Sequence, residues 1–367
     1  MKLLVLTSRY TATRDIIGED FGRQTRLFAA LKKRGHDITF FCADYRKKER
    51  TNTTLHGIRV MIRPFGITSF FSFVAGLKQL LKKERYDALI ATSDPLWGVV
   101  GRHVSKGKLP FIYDLHDNYE TYAMYSVPLF GLLEKNAVEK ADAITTVSHT
   151  LKEFIKPLRK ENVFVIQNGV DTSIFKPMPR EKCRAVLKLP KDIPIISYAG
   201  TLQRRQGIDI LLEVFKELRE EMPNLTLALA GRFFGSEKKH LDIAQEGIRY
   251  LGGNLSQKEV AMLINASNVV AVPNRENPFT LFCFPYKVVE YMACNVPIVA
   301  TDVGDVGRLL SPFNGSLCFP DSRESMKKAI KRQLKKSHIN YREAVMKSAW
   351  GAIAKELDKV LKIIRKK

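Results

Sequence analysis

The sequence predicts two doubly wound α/β domains in tandem. Three observations predict them: short β-branched apolar runs alternate with helical periodicity, a proline-rich stretch interrupts the alternation before it restarts, and 367 residues suffice for about two domains. With 45% hydrophobic residues and aromatics throughout, most of the chain is expected to be globular.

In the first half the apolar runs fall at 3–6, 37–41, 58–62, 88–91, 111–113, 143–147 and 163–166, each followed by a helical pattern. Pro177, Pro179, Pro190 and Pro194 mark the interruption. Further runs follow at 195–198, 226–230, 248–251, 269–272 and 298–300. The expected domains are 1–170 and 171–340, with a final helix over 341–367 packing back on the first domain. Tandem domains of this type place the carboxyl ends of two parallel sheets across a cleft, where open α/β sheets bind ligands.

Lys and Arg number 60 against 38 Asp and Glu, a net charge of +22, so an anionic partner is expected. The excess is heaviest beyond residue 321 and recurs at 78–83. The segment 70–83 reads as a basic amphipathic helix, with Phe70, Phe71, Phe73, Val74, Leu77, Leu80 and Leu81 on one broad face and Lys78, Lys82 and Lys83 toward the other. That pattern suits a solvated surface helix or one lying on an anionic membrane. No zinc finger or RNP-like strand is present, and nucleic acid is not expected as a partner. Arg9 ends the first apolar run far short of a signal peptide, and no run approaches the length of a spanning helix. A cytoplasmic chain is expected, peripheral on the inner face of the membrane if the basic helix binds there. Cys42, Cys183, Cys283, Cys294 and Cys318 are scattered without a C-x-x-C pair, which suggests neither a disulfide framework nor a metal site.

Four segments carry candidate chemistry. The first strand leads to Gly18-Glu19-Asp20-Phe21-Gly22-Arg23, a glycine-bearing loop before a helix amino terminus, which is a natural anion site as well as ordinary turn punctuation. Strand 111–113 runs into Asp114-Leu115-His116-Asp117-Asn118-Tyr119-Glu120, a polar cluster at a strand's carboxyl end, where His116 is the leading catalytic candidate with Asp117 beside it. In the second domain Gly200 permits close backbone approach, and Arg204 and Arg205 offer forked donors for a diphosphate before a helix. Pro285 suits a helix start that leaves the amides of Lys287 and Val288 free for an anion. Glu290 follows, able to accept two ribose hydroxyls. No G-x-S-x-G, P-loop or H-E-x-x-H occurs.

Together these pieces resemble the family 4 glycosyltransferases, group 1 type. The resemblance runs in order through the Gly18 loop, Arg34-Gly35-His36-Asp37-Ile38, residues 141–148, Asn168-Gly169-Val170-Asp171 followed by Phe175, residues 198–202, Glu290-Tyr291-Met292-Ala293 and residues 297–304. It covers nearly the whole chain. It implies the GT-B fold, two Rossmann-like domains facing across a cleft, and retaining, metal-independent transfer with no cofactor beyond the nucleotide-sugar donor. By the same resemblance Glu290 holds the donor ribose, His116 sits near the transferred sugar, and the Gly18 loop approaches the diphosphate or acceptor.

The chain departs from the family pattern at two places. The family's phosphate-binding Arg and Lys fall at Thr201 and Gln206, which moves the expected phosphate contact to Arg204, with Arg205 in reserve and Lys287 as a further cation. The first glutamate of the Glu-x7-Glu motif is replaced by Phe282. Family frequency favours UDP over GDP, and the basic 70–83 segment suggests a glycan or lipid-linked acceptor. With no placed nucleophile, the leaving diphosphate oxygen is expected to take the acceptor's proton. Two other classes share the fold: a noncatalytic nucleotide-sugar-binding homologue, and a UDP-sugar 2-epimerase, whose catalytic carboxylate pattern is not seen.

Overall fold

The apolar runs become parallel strands, most of them buried. The structure, a computed structural model, describes residues 1–11, 14–336 and 339–365. It divides into two units, Met1–Gly169 with Trp350–Lys367, and Val170–Ala349.

The first unit contains β1 (Lys2–Ser8), a short antiparallel ribbon of β2 (Tyr10–Thr11) and β3 (Arg14–Asp15), α1 (Arg23–Lys32), β4 (Asp37–Asp44), β5 (Thr51–Leu55) and β6 (Ile58–Pro64). It continues through α2 (Phe70–Lys83), β7 (Ala88–Thr92), α3 (Pro95–Ser105), β8 (Phe111–Leu115), α4 (Phe130–Lys140), β9 (Ala143–Thr146), α5 (His149–Ile155) and β10 (Val163–Val165). Eight strands form one sheet in the order β10-β9-β8-β7-β1-β4-β6-β5. Leu3, Leu4, Val5 and Leu6 in β1 are all fully buried, as a parallel strand between two helical layers requires. The chain leaves β1 toward β4 on one side and returns to β7 on the other, so the order reverses between β1 and β7. Strand β5 is the antiparallel exception; it is polar and exposed, and hydrophobic runs alone do not reveal it.

The second unit contains α6 (Arg180–Val186), β11 (Ile195–Ala199), α7 (Ile208–Glu221), β12 (Thr226–Ala230), β13 (Ile248–Tyr250), α8 (Gln257–Ala266) and β14 (Val269–Val272). After these come α9 (Pro278–Phe282), α10 (Tyr286–Ala293), β15 (Ile298–Thr301), α11 (Gly304–Leu310), β16 (Leu317–Cys318), α12 (Arg323–Leu334) and α13 (Arg342–Met346). Its sheet runs β13-β12-β11-β14-β15-β16, parallel throughout, and reverses direction between β11 and β14. A reversal of this kind leaves a crevice at the strands' carboxyl ends, and both units carry their polar clusters there.

Helix α14 (Trp350–Arg365) belongs to the first unit, where Leu357 and Leu361 join the core formed by Leu27, Leu31 and Ile38. Asp358 anchors it, accepting from Arg34 Nη2 at 2.8 Å, facing His36 Nε2 at 3.0 Å and pairing with Lys362 at 3.1 Å. The preceding segment, expected to start this return at 341, stays with the second unit. Tyr341 is fully buried there, its hydroxyl accepting from the Ile298 amide at 3.3 Å, and the Val170 amide donates to Ser348 O at 2.9 Å.

Helix α2 also differs from its expected faces. Phe73, Leu77 and Leu80 are buried, but Phe71 is 82% exposed and lies on the outward side with Lys82, because residue 71 is close to half a turn around the helix from the core stripe. All five cysteines are free thiols, four of them buried, and Cys283 is half-buried.

The Asp358 carboxyl is opposed by burial but held down to about 2 by its hydrogen bonds from Arg34, Lys362 and His36. A depressed folded-state pKa stabilises above the unfolded value of about 3.9, and this contribution is lost as pH falls through about 2. Asp358→Ala is expected to cost about 2–3 kcal/mol at neutral pH by urea denaturation, with the difference from wild type vanishing in strong acid.

Candidate active-site residues

In the first unit the site is built on one buried carboxylate. Asp114, in β8, is 3% exposed and accepts from Arg23 Nε at 3.1 Å and Nη2 at 2.9 Å. Its other donors are the Thr92 hydroxyl from β7 at 2.8 Å, the Thr145 hydroxyl from β9 at 2.6 Å and His116 Nε2 at 2.7 Å. Burial works against the charge, yet the Arg23 guanidinium and His116 hold the carboxyl well below the usual carboxylate range. Arg23 is itself buried and also donates to Gln167 O at 2.9 Å.

This network sets the proton on His116. Thr92 donates to Asp114 and therefore accepts from His116 Nε2, 2.6 Å away, so both neighbours of Nε2 are acceptors and the hydrogen bonding assigns the proton to that nitrogen. Nδ1 is left as an acceptor, with Gln24 Nε2 3.5 Å away. The ring can thus receive a hydrogen bond from a ligand hydroxyl on its Nδ1 side.

Asp117 is engaged elsewhere: it accepts from the Tyr122 hydroxyl at 3.0 Å and helps organise the turn after His116. The carboxylate that holds His116 is Asp114. Gly18 lies exposed in a turn, its amide donating to Asp15 Oδ1 at 3.0 Å. The glycine at the amino terminus of α1 is Gly22, with φ at 93° and no side-chain cap.

In the second unit Gly200 directly follows β11, and Tyr198, Gln206 and Lys287 meet beside it. Lys287, on α10, donates to the Tyr198 hydroxyl at 2.8 Å and to Gln206 Oε1 at 3.0 Å. A Cβ at Gly200 would sit 3.2 Å from Lys287 Nζ and 3.0 Å from the Tyr198 hydroxyl, so the glycine leaves room for the ammonium. Burial pushes the Lys287 ammonium down to about 8, against the opposing pull of Cys283 and Glu290. Tyr291 ties α10 to the same strand end, accepting from the Ala199 amide at 2.8 Å. Gly207, with φ at 74°, could carry no side chain, because a Cβ would lie 1.8 Å from Pro273 O at the end of β14.

Of the three expected phosphate cations, Lys287 alone is buried in this cluster. Arg204 is half-exposed and pairs with Glu237 at 3.2 Å. Arg205 lies 4.0 Å over the Phe279 ring and donates to Gln203 Oε1 at 2.9 Å. Glu290 follows Lys287 by three residues, on the same side of α10. The Val288 amide is not free as expected; it donates to Pro285 O at 3.3 Å. Phe282 ends α9, whose start is capped by Asn277 through the amides of Phe279 and Thr280.

Sequence reasoning missed Arg23, Thr92, Thr145 and Tyr198. Arg23 closes the quoted Gly18–Arg23 loop, Thr145 lies in the quoted 141–148 stretch and Tyr198 opens the quoted 198–202 stretch, each without a chemical signal of its own, and Thr92 directly follows the apolar run 88–91.

The family described as Glycosyltransferase Family 4 matches residues 25–174, and Glycosyl transferases group 1 matches residues 179–350. A Bacillus subtilis (strain 168) glycosyltransferase, TuaC, named for teichuronic acid biosynthesis, is 26% identical over 361 residues, covering 90% of this chain and 89% of its own length. Among solved structures, sucrose-phosphate synthase from Thermosynechococcus elongatus has a TM-score of 0.78 at 21% identity, covering 99% of this chain and 98% of that one. Anabaena HepE in complex with UDP has a TM-score of 0.75 at 20% identity, covering 99% of this chain and 100% of that one. The chain belongs to the family 4, group 1 glycosyltransferases and has the GT-B fold: it is an enzyme that transfers sugar.

Proposed function

We propose that this enzyme takes its sugar from a UDP-sugar and transfers it, with retention, to a hydroxyl of a glycan or lipid-linked acceptor. The observation that carries the reading is the buried Lys287 ammonium beside Gly200, at the carboxyl end of β11, with Glu290 on the same side of α10. Solved relatives of this fold hold UDP and UDP-glucose, which supports a uridine nucleotide, and TuaC's name supports a polymeric glycan product.

Each residue then has a distinct task. Glu290 accepts the ribose hydroxyls, and Lys287 faces the diphosphate, offsetting the charge that grows on it as the glycosidic bond breaks. Lys287 bonds Gln206, the position where the family pattern carries its own lysine, so the cation reaches that position from α10 instead. Arg204 and Arg205 serve as outer cations. His116 accepts a hydrogen bond from the transferred sugar through Nδ1. The acceptor oxygen bonds to the anomeric carbon on the face from which diphosphate departs, and its proton passes to the leaving phosphate oxygen. Protein cations supply the charge stabilisation in this scheme, with no metal called upon. Among the described residues no helix is long and apolar enough to cross a membrane, and a membrane-borne acceptor would be met at the bilayer surface from the cytoplasmic side.

Thermal-shift screening tests the donor. UDP is expected to raise the melting temperature where GDP and ADP do not, and Glu290→Ala is expected to abolish the shift. An equal response to all three nucleotides, or an undiminished one in the variant, contradicts the reading.

The ammonium of Lys287 is charged below its pKa of about 8, and a bound diphosphate favours the charged form. UDP affinity is therefore expected to hold at lower pH and to weaken as pH rises through about 8. Lys287→Met should weaken UDP binding about tenfold or more and flatten that pH dependence, as calorimetric titration would read. His116→Ala should lower the transfer rate about 100-fold while leaving the UDP-induced thermal shift in place.

A further inference from the structure

A cavity of about 300 Å3 lies in the first unit between β6 and α2, apart from every residue given a task above. Its floor is apolar, made by Phe41, Met61, Phe73 and Leu80, and its walls carry Arg50, Arg59, Arg63 and Lys83. The one carboxylate on its lining, Glu84, is already engaged: both Nη atoms of Arg59 donate to its Oε1 at 2.9 Å, and Lys2 Nζ donates to its Oε2 at 2.8 Å. Those contacts, with the Lys2 hydrogen bond the largest, hold the Glu84 carboxyl down to about 2.

The remaining cations have no such partner. Arg63 Nη1 donates only to backbone, at 3.1 Å to Thr51 O and 2.7 Å to Ile62 O. Among the described residues no carboxylate pairs with Arg50, Arg63 or Lys83. Burial, and then repulsion from Arg50 and Arg59, lowers the Arg63 pKa, the signature of a cation cluster short of negative charge.

Gly76 keeps this space open. It sits in the interior of α2, where glycine costs about 1 kcal/mol against alanine. Packing does not require it, since a Cβ there would meet Phe41 Cζ at an ordinary 3.7 Å. A longer side chain would enter the cavity.

We propose that this cavity binds a phosphate group carried on a small apolar moiety, with Arg50 and Arg63 holding the phosphate and the Phe41, Met61, Phe73 and Leu80 floor holding the moiety. Guanidinium forks match phosphate oxygens, and an apolar floor beneath cations suits an amphiphile. The inference stands apart from the transferase reading, because binding is measured without donor or turnover. Two sources share this chemistry, a phospholipid headgroup and a soluble phosphate ester.

Calorimetric titration with phenyl phosphate, a phosphate ester on an apolar ring, tests the soluble source. Co-sedimentation with phosphatidylcholine vesicles, with and without phosphatidylglycerol, tests the headgroup. Wild type is compared with Arg50→Gln, with Gly76→Leu, which fills the cavity without changing charge, and with Lys82→Gln, which removes one charge on α2 outside the cavity. Binding to either probe is expected to weaken about tenfold in Arg50→Gln and to be lost in Gly76→Leu, and to stay within about twofold in Lys82→Gln. Whichever probe shows that pattern identifies the source. Absence of binding to both probes overturns the proposal. So does equal weakening in Arg50→Gln and Lys82→Gln with Gly76→Leu unaffected, which would mean diffuse attraction to a basic surface. Circular dichroism of each variant separates lost binding from lost folding.

Discussion

The first unit is organised around a carboxylate that has left water. An ionised Asp114 at 3% exposure is tolerable only because donors surround it. They come from α1 through Arg23, from β7 through Thr92, from β9 through Thr145 and from the loop after β8 through His116. Three chain segments distant in sequence, and the loop that follows β8, are therefore fixed to one point at the carboxyl edge of the sheet. Their positions are interdependent, and the orientation of His116 follows from the arrangement as a whole.

The second unit solves a similar problem with the opposite charge. Here the buried ion is the Lys287 ammonium, and its partners are neutral: the Tyr198 hydroxyl and the Gln206 carbonyl oxygen. Burial pushes the Tyr198 phenol well up, so it serves as a dipole and not as a counter-ion. A buried cation that meets dipoles in place of a carboxylate keeps its charge available to a ligand, at the cost of a lowered pKa. Asp114, by contrast, is neutralised within the protein, and its effect reaches a ligand only through His116. One unit thus offers an oriented imidazole and the other an uncompensated cation.

Most of the fold was legible in the sequence because parallel strands buried on both faces are continuous apolar runs, as β1 and β11 show. Strand β5 was not, since Thr51, Asn52, Thr53 and Thr54 are an exposed polar edge. His116 stood out by its place after a strand. The carboxylate that meets its ring is Asp114 and not the adjacent Asp117, because β8 sends Asp114 into the cluster while the following loop turns Asp117 toward Tyr122, which sequence neighbourhood does not show. Arg23 reaches Asp114 across 91 residues, a pairing no local pattern encodes. Arg204 and Arg205 looked like the natural phosphate donors by spacing, yet Glu237 and Phe279 engage them, while Lys287 occupies the buried position. Side-chain partners across elements, not the elements themselves, were what the sequence concealed.

The claim that Asp114 dictates the chemistry of His116 is tested most directly by nitrogen-15 NMR of the histidine side chains, with His116 assigned by comparison with His116→Gln. In its neutral form the ring should show a protonated Nε2 coupled across the hydrogen bond network and a bare, pyridine-type Nδ1. A neutral ring protonated on Nδ1 would contradict the account, because Asp114 would then face a lone pair and the orientation of the imidazole would need another cause.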